Sequence, residues 1–143
     1  MTIVLNEPGV DGLTRVVDAL RVRQDDRTPL QLHPGDLGWA WALGAERLAA
    51  AVRTWSVDGR IIAVGYLDET DQLRLTTAPD LRQDGHLARR LLADLDDPER
   101  GVLPPGKVGS KSPTVPCSAR SSWRRAGFWT SRGRRCATTS PSR

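Results

Sequence analysis

An α+β fold, with a mixed sheet flanked by helices, is what this sequence predicts, and three observations predict it. Apolar residues recur at helical spacing near the start of the chain and again after residue 85. Between those stretches, over residues 52–78, the period changes to two, and tight-turn residues separate the runs. Strands gathered between helices, rather than alternating with them, point to α+β instead of a doubly wound sheet.

The first helix comes from "VDGLTRVVDALRVRQ", where Val10, Leu13, Val16, Val17 and Leu20 share a face and Asp11 stands where a cap is expected. "DDRTPLQLHPGD" breaks it with charge, proline and glycine. Asp36 is the expected cap of a second helix through "LGWAWALGAERLAAAVRTW", which Gly38 and Gly44 weaken, so a bend or a late start is expected. "VRTWSV" and "RIIAVGYL" then read as strands joined by Asp58-Gly59, a strong hairpin signal. "DETDQ" makes the next turn, into "QLRLTTA", where Leu73 and Leu75 alternate with polar neighbours until Pro79 ends the strand. In "DGHLARRLLADL", Leu87, Leu91, Leu92 and Leu95 form one helical face, and Arg89, Arg90 and Asp94 another. A three-strand meander leaves an edge open, so a further strand is expected after this helix, beginning at "GKVG". Left open, that edge predicts self-association.

The 143 residues suffice for one packed core. Their net charge of +4 is unevenly placed. Residues 1–100 hold 12 arginines against 17 acids, whereas residues 101–143 hold nine Lys or Arg and no acid. Cys117 and Cys136 sit among those basic residues; two thiols make neither a disulfide framework nor a zinc site. "MTIVLNEPGV" lacks the charged start and apolar run of a leader, and no stretch is long and apolar enough for a membrane span. The expectation is a cytoplasmic body with no membrane partner and no metal.

The stretch that carries chemistry is "LRLTTAPDLRQDGHLARRLLADL". A strand ends in proline, a short loop follows, and a helix starts at once. A helix N-terminus presents free N–H groups and a positive dipole end, which suit a phosphate, and glycine allows close approach. An ordinary strand–turn–helix corner has the same outline. The stretch resembles the GNAT superfamily of acetyl-CoA-dependent N-acetyltransferases, whose signature is a strand, a loop of the form Q/R-x-x-G-x-G/A, and a helix. Arg82 matches the first position and Gly85 the second, while Leu87 stands at the last with Ala88 behind it. "APD", "ARRLLADL", the leading helices and the meander also look like the family, over roughly residues 10–109.

The resemblance implies acetyl transfer from acetyl-CoA to an amine of a small molecule or protein. It implies a pyrophosphate cradle at Thr77, Ala78, Arg82, Gln83, Asp84, Gly85, His86, Leu87 and Ala88. Leu87 is then the expected steric obstacle, and Asp84, with Asp80 less so, the electrostatic one. The family's usual proton donor is a tyrosine after the fifth strand, but the only tyrosine here is Tyr66, read as a packing residue. His86 reads as a solvated loop residue or a phosphate contact, and His33 has no assigned role. Glu46, Asp68 and Glu69 read as solvated charges, and Trp39, Trp41 and Trp55 as core or cleft wall. No catalytic base is named. A degenerate, non-catalytic module of the same type is the alternative.

Two regions follow: an incomplete acetyltransferase-like domain over 1–109, and a basic Ser/Arg-rich tail over 110–143. The tail has three readings: a nucleic-acid-binding arm with Trp123 and Trp129 stacking on bases, an inert solvated tail, or a frameshift. Read one frame over, serine codons of the TCN type supply the last two bases of Val, Leu, Ile or Phe codons, and arginine codons of the CGN type those of Ala, Pro, Ser or Thr codons. From Val108 onward, one such reading restores a strand, a capped helix and a strand, the elements the resemblance requires. The frameshift is the favoured reading, with C-terminal strands missing or scrambled and no specific nucleic acid bound.

Overall fold

The structure, a computed structural model, describes residues 2–24, 31–68, 72–104 and 109–111. Its elements are β1 (Val4–Asn6), α1 (Gly9–Val22), α2 (Pro34–Trp41), α3 (Ala45–Ala51), β2 (Val52–Val57), β3 (Arg60–Asp68), β4 (Gln72–Thr77), α4 (Gly85–Asp96) and β5 (Gly109–Lys111). The sheet runs β1-β2-β3-β4-β5. Its first four strands are antiparallel neighbours, and β5 lies parallel to β4, with Gln72 opposite Gly109 and Arg74 opposite Lys111. The fold is α+β. Residues 69–71 of the second turn, residues 105–108 of "GKVG" and its approach, and the tail from 112 with both cysteines lie outside the described residues.

The hairpin is built as its sequence predicts: Asp58 and Gly59 both take positive φ, 48° and 79°. Both edges of the meander are covered. β1, which the sequence does not reveal, pairs with β2, placing Leu5 opposite Trp55. The strand expected after the last helix is β5.

Helices cover both faces of the sheet. On one, Leu13, Val16 and Leu20 of α1, Leu37 of α2 and Leu48 of α3 pack on Val52, Val64 and Tyr66. On the other, Leu87, Leu91 and Leu95 of α4 pack on Trp55, Ala63, Leu73 and Leu75. Pairing passes from Ser56↔Ile61 to Trp55↔Ala63, so Ile62 is a bulge. Strict alternation would separate Ile62 from Ala63; the bulge turns both toward α4. Trp55 lies against Gly65, where a Cβ would come within 3.2 Å of the indole ring.

Several local expectations are corrected. α1 begins at Gly9 behind Pro8 and no side chain caps it; Asp11 lies in its first turn and Val10 is exposed. The second helix is two helices. Gly44 interrupts it at φ 112°, a conformation that strains any residue with a Cβ. Its cap is His33, not Asp36. His33 Nδ1 accepts from the Gly35 amide at 2.9 Å, and Asp36 Oδ2 accepts from the His33 amide at 2.7 Å, a reciprocal pair. Asp94 is not a solvated helix residue. It is 2% exposed, and its Oδ2 accepts from Trp55 Nε1 at 2.9 Å and from Arg90 Nε at 2.7 Å. Of the body's tryptophans only Trp55 is in the core; Trp39 is 84% exposed and Trp41 is exposed beside it. Among the described residues no helix is long and apolar enough to cross a membrane.

Candidate functional site

The loop between β4 and α4 is tied to the sheet through its backbone at Ala78 and through the Asp80 side chain. Thr77 ends β4 opposite Ala63. The amide of buried Ala78 donates to the Ile62 carbonyl at 2.8 Å, so the bulge in β3 anchors the start of the loop. A single 3-10 turn follows over Pro79–Leu81. The Leu81 amide donates back to Ala78 O at 3.0 Å, and the Asp84 amide to Leu81 O at 3.1 Å. The chain thus reaches α4 in two consecutive tight turns.

Asp84 is the cap of α4. Its Oδ1 accepts from the Leu87 amide at 2.7 Å, and its carbonyl accepts from the Ala88 amide at 3.0 Å. Of the amides in this first turn, those of Gly85 and His86 remain for a ligand. Gly85 and the His86 and Gln83 side chains are exposed, while Arg82, Asp84 and Ala88 are half-buried. Arg82 has an interaction of its own within the protein. A Cβ at Gly85 would meet nothing closer than Arg89 Nη1 at 3.7 Å, so the fold itself does not require glycine there.

Two obstacles expected from the sequence are placed differently. Leu87 is 1% exposed and belongs to the core beneath α4, so its side chain does not narrow the loop's mouth. Helical geometry explains this: Leu87, Leu91 and Leu95 lie on one stripe. Asp80 is held by Arg60, whose Nη1 and Nη2 donate to its two carboxylate oxygens at 2.9 and 2.7 Å. Those hydrogen bonds keep the Asp80 carboxyl below its ordinary value, and Asp80 raises the Arg60 guanidinium above its own. The negative charge left at the helix start is that of Asp84.

A diphosphate fits this corner in part. The Gly85 and His86 amides, the dipole end of α4 and the open space at Gly85 favour it. The Asp84 carboxylate disfavours it and already occupies the Leu87 amide. Two of the other polar residues singled out in the sequence, Tyr66 and Asp68, are elsewhere. Tyr66 and Asp68 pair across from Arg74 and Gln72, toward the opposite end of β4. There Arg74 bridges Asp36, at 3.1 Å, and Asp68. Burial, then the charge of Asp68, raises the Tyr66 phenol above its ordinary value. Arg60 and the Ile62 bulge are the site residues that sequence reasoning misses, because both act through long-range pairing that leaves no local pattern. Among the described residues no three His, Cys, Asp or Glu side chains group as metal ligands. The chain matches no family model, no curated protein and no solved structure.

Proposed function

We propose that this chain is a GNAT-type N-acetyltransferase domain that transfers an acetyl group from acetyl-CoA to an amine, with a weakened coenzyme cradle. One observation carries the reading: β4, α4 and β5 form a parallel crossover, and the loop of residues 78–86 lies at the carboxyl end of β4, where it enters a helix. Open sheets bind ligands at the carboxyl ends of their parallel strands, and diphosphates favour helix N-termini. The order of helices and strands, with a parallel strand after the last helix, supports the same reading. The Gly85 and His86 amides would hold the pyrophosphate. The coenzyme supplies the activated acetyl group. No residue is assigned as base or proton donor.

A second reading, a non-catalytic module of the same architecture, is favoured by one feature. The Asp84 carboxylate occupies the amide of Leu87 and places a negative charge where the ligand is negative. Asp84→Asn separates the two, because asparagine keeps the cap and removes the charge. Calorimetric titration of coenzyme A at one ionic strength should show binding that tightens severalfold in Asp84→Asn. No binding by either protein would leave the non-catalytic module standing.

A further inference from the structure

Arg23 follows α1 directly and is 4% exposed. Its Nη2 donates to the Ile61 carbonyl at 2.7 Å, but its Nη1 is buried with no hydrogen-bond partner. Among the described residues no carboxylate forms an ion pair with it; Asp80, whose field reaches it, bonds Arg60 instead. Burial, then the charge of Arg60, pushes its pKa down to about 10. A buried guanidinium is costly unless an opposite charge meets it, and the described residues give Arg23 no ion pair.

Arg23 lines an open cavity of about 380 Å³ between α1, the start of β3 and the end of β4. Arg15 and Arg60 line it too, with Val22 and Pro79 among its apolar walls. All three guanidiniums are held in place. Arg15 Nη2 donates to the Gly59 carbonyl at 2.9 Å, Arg23 is fixed by Ile61, and Asp80 grips Arg60 through both oxygens. The one acid in the lining is Asp18, a mostly solvated side chain 3.8 Å from Arg21. Arginine is the residue best shaped for phosphate, and although Asp80 matches the charge of Arg60 and Asp18 is solvated beside Arg21, the fixed guanidiniums of Arg15 and Arg23 leave the cavity net positive and suited to an anion.

We propose that this pocket binds a phosphoryl group, as free phosphate or as the end of a small organic phosphate, with Arg15 and Arg60 contacting it at the mouth and Arg23 as the buried charge behind them. The pocket is on the α1 face of the sheet, whereas α4 packs on the other. The pocket shares Ala78 and Pro79 with the start of the β4–α4 loop but does not use the Gly85 and His86 amides, so the inference does not rest on the acetyl-CoA reading.

The test is calorimetric titration of the full chain with inorganic phosphate and with glycerol 3-phosphate, at constant ionic strength, for the original protein, Arg15→Gln, Arg23→Met and Gly85→Ala. Saturable binding is expected, weakened at least tenfold in Arg15→Gln and Arg23→Met and unchanged in Gly85→Ala. Arg15 is an exposed side chain, so Arg15→Gln keeps the test decisive should Arg23→Met fail to fold. Tighter binding of glycerol 3-phosphate assigns the rest of the cavity to an organic body; equal binding assigns the site to phosphate alone. No saturable binding of either ligand, or binding that Arg15→Gln leaves intact, overturns the proposal. Binding lost in Gly85→Ala instead would move the site to the start of α4 and overturn it equally.

Discussion

Asp94 shows how one buried carboxylate fixes several parts of the protein. It joins Trp55 on β2 to Arg90 on its own helix, with Arg100 at 3.7 Å beyond the helix end. Asp94→Ala would leave an indole N–H and a guanidinium without their acceptor. We expect a loss of about 3 kcal/mol or more in urea unfolding, since breaking a buried charged pair from one side costs that much. Asp94→Asn should cost less because it keeps an acceptor for Trp55. At the exposed pair of Arg60 and Asp80 the effect is smaller and depends on pH. Asp80 has its folded pKa depressed below 3.8 by the hydrogen bonds from Arg60. Its contribution is therefore present above that ordinary value and is lost as the pH falls through the depressed one. Asp80→Asn should melt below the original protein at neutral pH, with the gap closing as the pH drops under the carboxylate range. A gap that stays constant with pH would assign Asp80 a role unrelated to its charge.

At the scale of elements, two glycines make opposite predictions. Gly44 separates α2 from α3 at φ 112°, so Gly44→Ala should destabilise by about 1 kcal/mol or more. Gly85 is in the first turn of α4 with room for a Cβ, so Gly85→Ala should be neutral or stabilise by up to about 1 kcal/mol. The same Gly85→Ala should weaken coenzyme A binding if the helix start is a cradle. Thermal unfolding and calorimetry on the two variants check both signs. Much of this layer was legible in the sequence: α1, α4, the Asp58-Gly59 hairpin and the β4–α4 corner each have a strong local period or turn pair. β1 was not, because three residues are too few to show a period. The His33 cap was hidden because histidine rarely serves there, and Asp36 next to it looked the better choice. The burial of Asp94 depends on Trp55, far away in sequence, and the turn of Ile62 toward α4 on a register shift in the hairpin that no local pattern marks, so helical and strand periods point the wrong way at both. The loop of the candidate site was legible as a shape, but its electrostatics were not, because Arg60 meets Asp80 only once β3 and β4 pair.

Charge sets the behaviour of the whole chain. The acidic first 100 residues and the basic remainder oppose one another, and seven arginines lie beyond Lys111. The full protein should bind DNA of any sequence at low salt, with log affinity falling linearly as log salt rises. Deleting residues 112–143 should abolish that binding; binding that survives the deletion, or a preference for one DNA sequence, would contradict a purely electrostatic interaction of the tail. The parallel strand β5 has a different consequence, for the order of assembly. The β2–β3 hairpin closes through two residues, so its contacts form cheaply and early. β1 and β5 reach their partners only across long stretches of chain, from Asn6 to Thr54 and from Gln72 to Gly109, and must overcome a larger loop-closure entropy. The meander should therefore be the folding nucleus and the two outer strands late arrivals. In stopped-flow denaturant jumps, Gly59→Ala should mainly slow refolding, while Leu5→Ala should leave refolding nearly unchanged and speed unfolding. An outer strand that joins last also leaves first, so unfolding should begin at β1 and β5 while the central three strands still hold together.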